Sequence, residues 1–415
     1  MIGQEGKFMS FIRRLYQSLI ENHFRKNRQM LFLMGPRQVG KTTLCLHLSN
    51  IDKGDFFYLN WDNMDDREIL LSGPKAIAAH LKLDKARKTP PIVIFDEIHK
   101  YRDWKLLLKG FFDTYSHSGE IRIVVTGSAR LDIFKFGGDS LMGRYFRCRV
   151  HPFSVAELIR DEPSSNEISP PCLPDQKKFQ DMYTYGGFPE PFIHADPNFY
   201  EQWKQLKLQQ LFYEEVRDLT RVQEIRQIEL LAIHLQRQVG SLSNYTNLAN
   251  KIRVSVETIR RWMETLQQLY YSFQISPWSR NVTRSLLKEP KVYLWDWSLV
   301  EDEGAKVENF IASQLLKACH YWIDRGLGQY DLYFLRDKEK REVDFLVTKN
   351  SQPWFLVEAK LSPGPISPFL DLFQKQTNAK HAFQVILDAE YEDIDCFSFE
   401  KPVIVPAITI LSQLV

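Results

Sequence analysis

With 415 residues, 44% of them hydrophobic and 26% charged, the chain can build two or three folded units and leaves little room for long disordered segments. A formal charge of +2 excludes a global basic field, so any nucleic-acid surface must be a local patch. The five scattered cysteines contain no CxxC pair able to seat a structural zinc, and no apolar run reaches the roughly 18 residues of a membrane span. The expectation is a cytoplasmic protein without stable membrane insertion.

The N-terminal segment MIGQEGKFMSFIRRLYQSLIENHF is amphipathic, and a helix packed on the following unit is preferred over one lying on a membrane surface. Residues 30–150 then alternate short apolar runs (MLFLM, DFFYLNW, PIVIFDE, IRIVVTGS) with helix-like stretches, which predicts a parallel sheet covered by helices. A stretch rich in Ser, Pro and Asn at 161–176 reads as a linker. From 177 to about 290 the periodicity is helical, and after 290 helices and strands mix again. The expected units are 1–160, 177–290 and 291–415.

Gly35-Pro36-Arg37-Gln38-Val39-Gly40-Lys41-Thr42 follows the first apolar run and precedes TTLCLHLSN. That is a strand, a glycine-cornered loop and a helix, which aim backbone amides at phosphate oxygens. Lys41 would reach the β/γ-phosphates of ATP, Thr42 would ligate Mg2+, and Thr43 completes the cofactor-binding run. Ile92-Val93-Ile94-Phe95-Asp96-Glu97 delivers two carboxylates to a strand's C-terminal edge, with Asp96 holding Mg2+ and Glu97 orienting the attacking water. Thr126 or Ser128, at the end of the next strand, is a candidate γ-phosphate sensor. Arg130 or Arg144 could stabilise transition-state charge in its own subunit or a neighbour's; Arg144 is preferred because Gly143 and a strand flank it.

The motifs LFLMGPRQVGKTTL, VIFDEIHK, VVTGSARL, SLMGRYF, HPFSVAEL and YGGFPEPF resemble those of prokaryotic AAA-superfamily ATPases whose core is followed by a C-terminal domain of unknown function. The resemblance covers most of the chain and implies ATP binding and hydrolysis without identifying a client. Gly186, Gly187 and Pro189 of YGGFPE are read as a turn with no chemistry assigned.

In the middle unit, YTNLANKIRVS and VETIRRWMETLQQLYY resemble a winged helix, turning near Ser255 or Val256. Thr258, Arg260 and Arg261 would face DNA, with YSFQISPWSRN as the wing; a protein-packing module of the same shape is the alternative. In the last unit, Asp344 in REVDFLV and Glu358-Ala359-Lys360 in WFLVEAK lie on successive predicted strands, so that alternation puts Glu358 and Lys360 on one face. Two carboxylates can hold magnesium while a lysine positions or deprotonates water, with Glu308 as a further ligand and Gln374 near the attacked strand. This order is similar to the PD-(D/E)xK nuclease superfamily, here without the proline before Asp344, and implies a restriction-endonuclease-like fold.

The resulting expectation is an α/β chain: a P-loop NTPase parallel sheet unit, a helical winged-helix-like unit and a mixed α/β nuclease-like unit. It would hydrolyse ATP with Mg2+, bind DNA, cleave it and possess the capacity to form a homo-oligomer. The alternative is a regulatory switch whose last unit binds nucleic acid or protein without cleavage.

Overall fold

The computed structural model describes residues 12–50, 54–116, 121–127, 141–217, 224–279 and 289–415. Ser128, Arg130 and part of the expected wing lie outside these residues.

Strands β1 (Met30–Met34), β2 (Phe56–Asn60), β3 (Ile92–Asp96), β4 (Arg122–Thr126) and β5 (Tyr145–Arg149) form one sheet in the order β2-β3-β4-β1-β5, every neighbouring pair parallel. Both faces are covered, which is why these strands read as near-continuous apolar runs. Alternate side chains separate cleanly: Met30, Phe32, Met34, Val93, Phe95, Ile123 and Val125 pack against the helices Met64–Leu71, Pro74–His80 and Trp104–Tyr115. Leu31, Leu33, Ile92, Ile94 and Val124 face the opposite way, into a core shared with the rest of the chain. The helix Tyr16–Lys26 packs there through Tyr16, Leu19 and Ile20, as expected of the amphipathic N-terminal pattern.

The shared core changes the picture of three separate units. It runs without interruption from Leu31 through Trp262 and Trp297 to Trp322 and Val357. A second sheet has the order β12-β11-β10-β9-β8-β6-β7, built from β6 (Ser272–Pro277), β7 (Lys291–Leu294), β8 (Tyr330–Arg336), β9 (Glu342–Lys349), β10 (Gln352–Lys360), β11 (His381–Ile386) and β12 (Val403–Pro406). The expected wing is therefore β6, which pairs with β7 on one side and with β8 on the other. The boundary at 290 falls inside this sheet.

The helix Glu303–Asp324 crosses between the two sheets, buried along much of its length. The segment 161–175 has no helix or strand, as its composition predicts, but it is tied down. Glu167 accepts from Tyr330 and Lys349, and Ser169 N–H donates to Gln413. Among the described residues no helix is long and apolar enough to cross a membrane.

Candidate nucleotide site and carboxylate cluster

The parallel sheet brings the ends of β1, β3 and β4 to one edge, and a cavity of about 630 Å³ opens there. Gly35 has φ +155°, and a Cβ on it would lie 2.2 Å from the Val150 carbonyl oxygen, so the loop can leave β1 only where no side chain intervenes. Gly40, at φ +90°, caps the helix Lys41–His47. Lys41 Nζ donates to the carbonyls of Gly35 at 2.8 Å and Pro36 at 2.6 Å. Burial pushes its ammonium down to about 8, against the pull of Glu97 and Asp96.

Asp96 is the hub of this edge. Thr42 Oγ1 donates to its Oδ2 at 3.1 Å, and the hydroxyls of Tyr58 and Thr126 donate to its carboxylate as well. Thr126 reaches it because β4 lies between β1 and β3. These donors are all oxygens, and one carboxylate with one hydroxyl leaves positions for phosphate and water, the set that suits magnesium. Glu97 follows in the left-handed region at φ 55°, with its Oε2 3.3 Å from Lys100 Nζ and 3.7 Å from His99 Nε2. A non-glycine residue held there by its surroundings is a frequent mark of a working site.

Of the other sequence candidates, Gln38 and Thr43 line the cavity, while Arg37 lines it and pairs with Glu215 at 3.0 Å and Glu214 at 3.3 Å. Val39 is buried beneath them. Arg144 is placed otherwise. Met30 pairs with Tyr145 and Met34 with Arg149, so Arg144 stands at the N-terminal edge of the sheet. The strand spans about 16 Å, so Arg144 cannot reach a phosphate bound by its own subunit. Its guanidinium instead grips Asp113 at 2.6 and 2.9 Å.

Several cavity residues escaped the sequence reading. Tyr58, Asn60 and Asp62 come from β2 and its exit; Asn60 pairs in register with Asp96, and a polar end on an apolar strand was the available signal. Pro189, Glu190 and Ile193 come from YGGFPEPFI, which delivers the helix Pro189–His194 to the rim as well as turning the chain. Arg14 had no signal, because burial of an arginine cannot be read from its neighbours. It is 4% exposed, donating to the Val39 carbonyl at 3.0 Å, the His151 carbonyl at 2.6 Å and Glu157 Oε1 at 2.9 Å. Glu157 in turn holds Lys317 of the helix Glu303–Asp324. Burial pushes the Glu157 carboxyl up, but Arg14 and Lys317 outweigh it and hold it at about 2.

The second sheet assembles the other expected residues. Asp344 Oδ2 accepts the Ala359 N–H at 2.9 Å, and Lys360 Nζ donates to Glu358 Oε1 at 2.8 Å, the shared face that alternation predicted. Glu308 joins through Lys291, whose Nζ is 2.9 Å away, and Tyr293, whose hydroxyl donates at 2.6 Å. Burial, then the nearby Asp344, pushes both Glu308 and Glu358 up to about 7. Among the described residues, however, no group of three or more acidic, histidine or cysteine side chains is placed to hold a metal ion. The expected ligand trio of Glu308, Asp344 and Glu358 thus does not form, because lysines are interleaved with it. Gln374 does not face a substrate either; its amide donates to the carbonyls of Ala379, Lys380 and Glu400.

In the middle unit the helices Tyr245–Ile252 and Val256–Gln268 meet at a turn capped by Ser255, which accepts the Thr258 N–H at 3.1 Å. The outer face carries Arg260 and Arg261, but also Glu257 and Glu264, and Arg261 is held by Glu224 at 2.8 Å.

Comparison with known proteins matches three stretches of the chain. Residues 27–159 match the family described as AAA domain (AAA_14), 176–302 a domain of unknown function (DUF8612), and 303–401 another (DUF4143). The chain is 24% identical to Uncharacterized protein MJ1544 of Methanocaldococcus jannaschii over 76% of its own length and 71% of the relative's. It is 23% identical to Uncharacterized protein Rv2008c of Mycobacterium tuberculosis over 78% of its own length and 69% of the relative's. The solved Walker-type ATPase PABY2304 of Pyrococcus abyssi aligns with 72% of this chain and 97% of its own at 15% identity and a TM-score of 0.43. The match over 27–159 falls on the loop and strand edge just described, so the first unit is similar in sequence to an AAA domain.

Proposed function

We propose that this chain binds ATP with magnesium, hydrolyses it, and passes the state of its nucleotide loop to the second sheet through the helix Glu303–Asp324. Loop amides and Lys41 would hold the β/γ-phosphates, Thr42 and Asp96 would hold Mg2+, and Glu97 would orient the attacking water. The ion, when bound, neutralises charge between the β- and γ-phosphates. Thr126 sits on Asp96 and is the sensor position within the described residues.

The observation that carries the coupling is Arg14. One guanidinium touches the phosphate loop at Val39 and, through Glu157, a lysine of the crossing helix. Any loop movement on binding phosphate must carry this buried network with it or break it, and breaking it costs several kcal/mol. Hydrogen exchange read with and without ATP tests this. Protection of residues 303–324 should change with nucleotide in the wild type and not in Lys41→Ala; an unchanged helix in the wild type would defeat the coupling.

A second reading, DNA contact by Thr258, Arg260 and Arg261 with phosphodiester cleavage by the third unit, is favoured by the juxtaposition of Asp344, Glu358 and Lys360. Supercoiled and single-stranded DNA incubated with Mg2+ or Mn2+, with and without ATP, separates the two. Cleavage lost in Asp344→Ala would establish a nuclease, and binding without cleavage would leave a switch that holds nucleic acid. Turnover per chain that rises with protein concentration would show catalysis by a homo-oligomer.

A further inference from the structure

The carboxylates of the second sheet already enclose a cation. Lys291 is 2% exposed, and its Nζ lies 2.6 Å from Glu342 Oε1, 2.9 Å from Glu308 Oε1 and 3.7 Å from Asp344 Oδ1. The ammonium is delivered by a fixed strand. Lys291 pairs with Ile275 across the β6–β7 hairpin and with Leu242 on its other side, while Gly240 N–H donates to the Val292 carbonyl at 3.1 Å. With its backbone paired on both sides, the side chain is buried and held by these carboxylates.

The charges nearly balance without a metal. Glu308, Glu342, Asp344 and Glu358 face Lys291, Lys360 on Glu358, and Arg336 on Glu342 at 2.6 Å. Four carboxylates meet three cations, so a divalent ion would find little uncompensated charge. Its preferred oxygen distances, about 2.1 Å for magnesium, would also bring it against the ammonium. The cluster is roofed on the Glu308 side: Gly240, at φ +74°, lies so close that a Cβ there would sit 2.8 Å from Glu308 Oε2.

We propose that Lys291 is the resident cation of this cluster, standing where a hydrolytic site would take a divalent ion. The carboxylates then serve as an ion-pair junction that clamps the β6–β7 edge of the second sheet, and the helix-turn-helix before it, to β9, β10 and the helix Glu303–Asp324. This goes beyond the ATPase reading, is independent of it, and stands against the metal-dependent cleavage of the second reading.

Mn2+ binding to the full-length chain, followed by loss of the free-ion EPR signal, tests the junction in an Asp96→Asn background that silences the nucleotide edge. That protein should show no saturable Mn2+ site below about 1 mM, the weak end of the range for built carboxylate sites. Adding Lys291→Met should create one, and adding Asp344→Asn as well should remove it. A saturable site already present with Lys291 intact and lost in Asp344→Asn would overturn the proposal. So would a folded Lys291→Met protein that gains none. The first comparison needs no change at Lys291, so it decides even if that variant fails to fold. ATP turnover by the chain with native Asp96 reports on the ATPase reading separately.

Discussion

Single residues here are constrained by what stands opposite them rather than by their own type. Gly35 is the sharpest case, since any side chain meets the Val150 carbonyl. Gly35→Ala should destabilise the chain by about 2–3 kcal/mol, the cost of overpacking together with local strain, read by urea unfolding. Lys41→Ala and Glu97→Gln should divide the proposed ATPase reaction differently. The first should lose nucleotide binding, and the second should keep it while turnover falls on the order of 100-fold or more, as a fluorescent-nucleotide titration and phosphate release would show. Arg144→Ala should do little. It removes a surface ion pair with Asp113 and leaves the turnover of an isolated chain unchanged.

At the scale of elements, the helix Glu303–Asp324 is the piece on which the proposed coupling depends. Glu157 reaches it through Lys317, and Arg149 reaches it through Asp324 at 2.6 Å. The Glu157 carboxyl ionises near 4.5 in an unfolded chain and at about 2 in the fold, a difference that contributes about 3 kcal/mol. Because the folded value is the lower one, this stability is fully present above the unfolded value and is lost as pH falls from about 4.5 towards 2. Urea midpoints measured across that window should drop in the wild type. Glu157→Gln should be weaker by about 3–5 kcal/mol near neutral pH, since Arg14 and Lys317 then stay buried without a counter-charge, and it should lose that part of the acid slope.

For the whole molecule, the shared core argues that the candidate nucleotide edge is not an independent module. Tyr16, Leu33 and Val150 pack in the same cluster as Phe310, Tyr321 and Trp322. A chain ended after residue 290 would expose that face and leave β6 without both β7 and β8, so it should aggregate or remain expanded, as gel filtration and near-UV circular dichroism would reveal. A compact, ATP-binding fragment of that length would show that the units fold separately after all.

The phosphate loop, the Asp96-Glu97 strand end and the parallel sheet were legible in the sequence because each is a local pattern: a strand, a turn and a helix adjacent in the chain, with geometry set by glycine and alternation. The pairing of Asp344 with the Glu358 strand was legible for the same reason, since β9 and β10 are neighbours in sequence and in space. Contacts between residues far apart in the chain were decided only by the tertiary structure. The register of β5 moved Arg144 to the wrong edge, and Arg14 found the phosphate loop and Glu157 across 25 and 143 residues. The β6–β7 hairpin put Lys291 among carboxylates that the sequence alone would assign to a metal. Local steric and hydrogen-bonding preferences act over a few residues, whereas the partner of a buried charge is chosen by how sheets and helices pack.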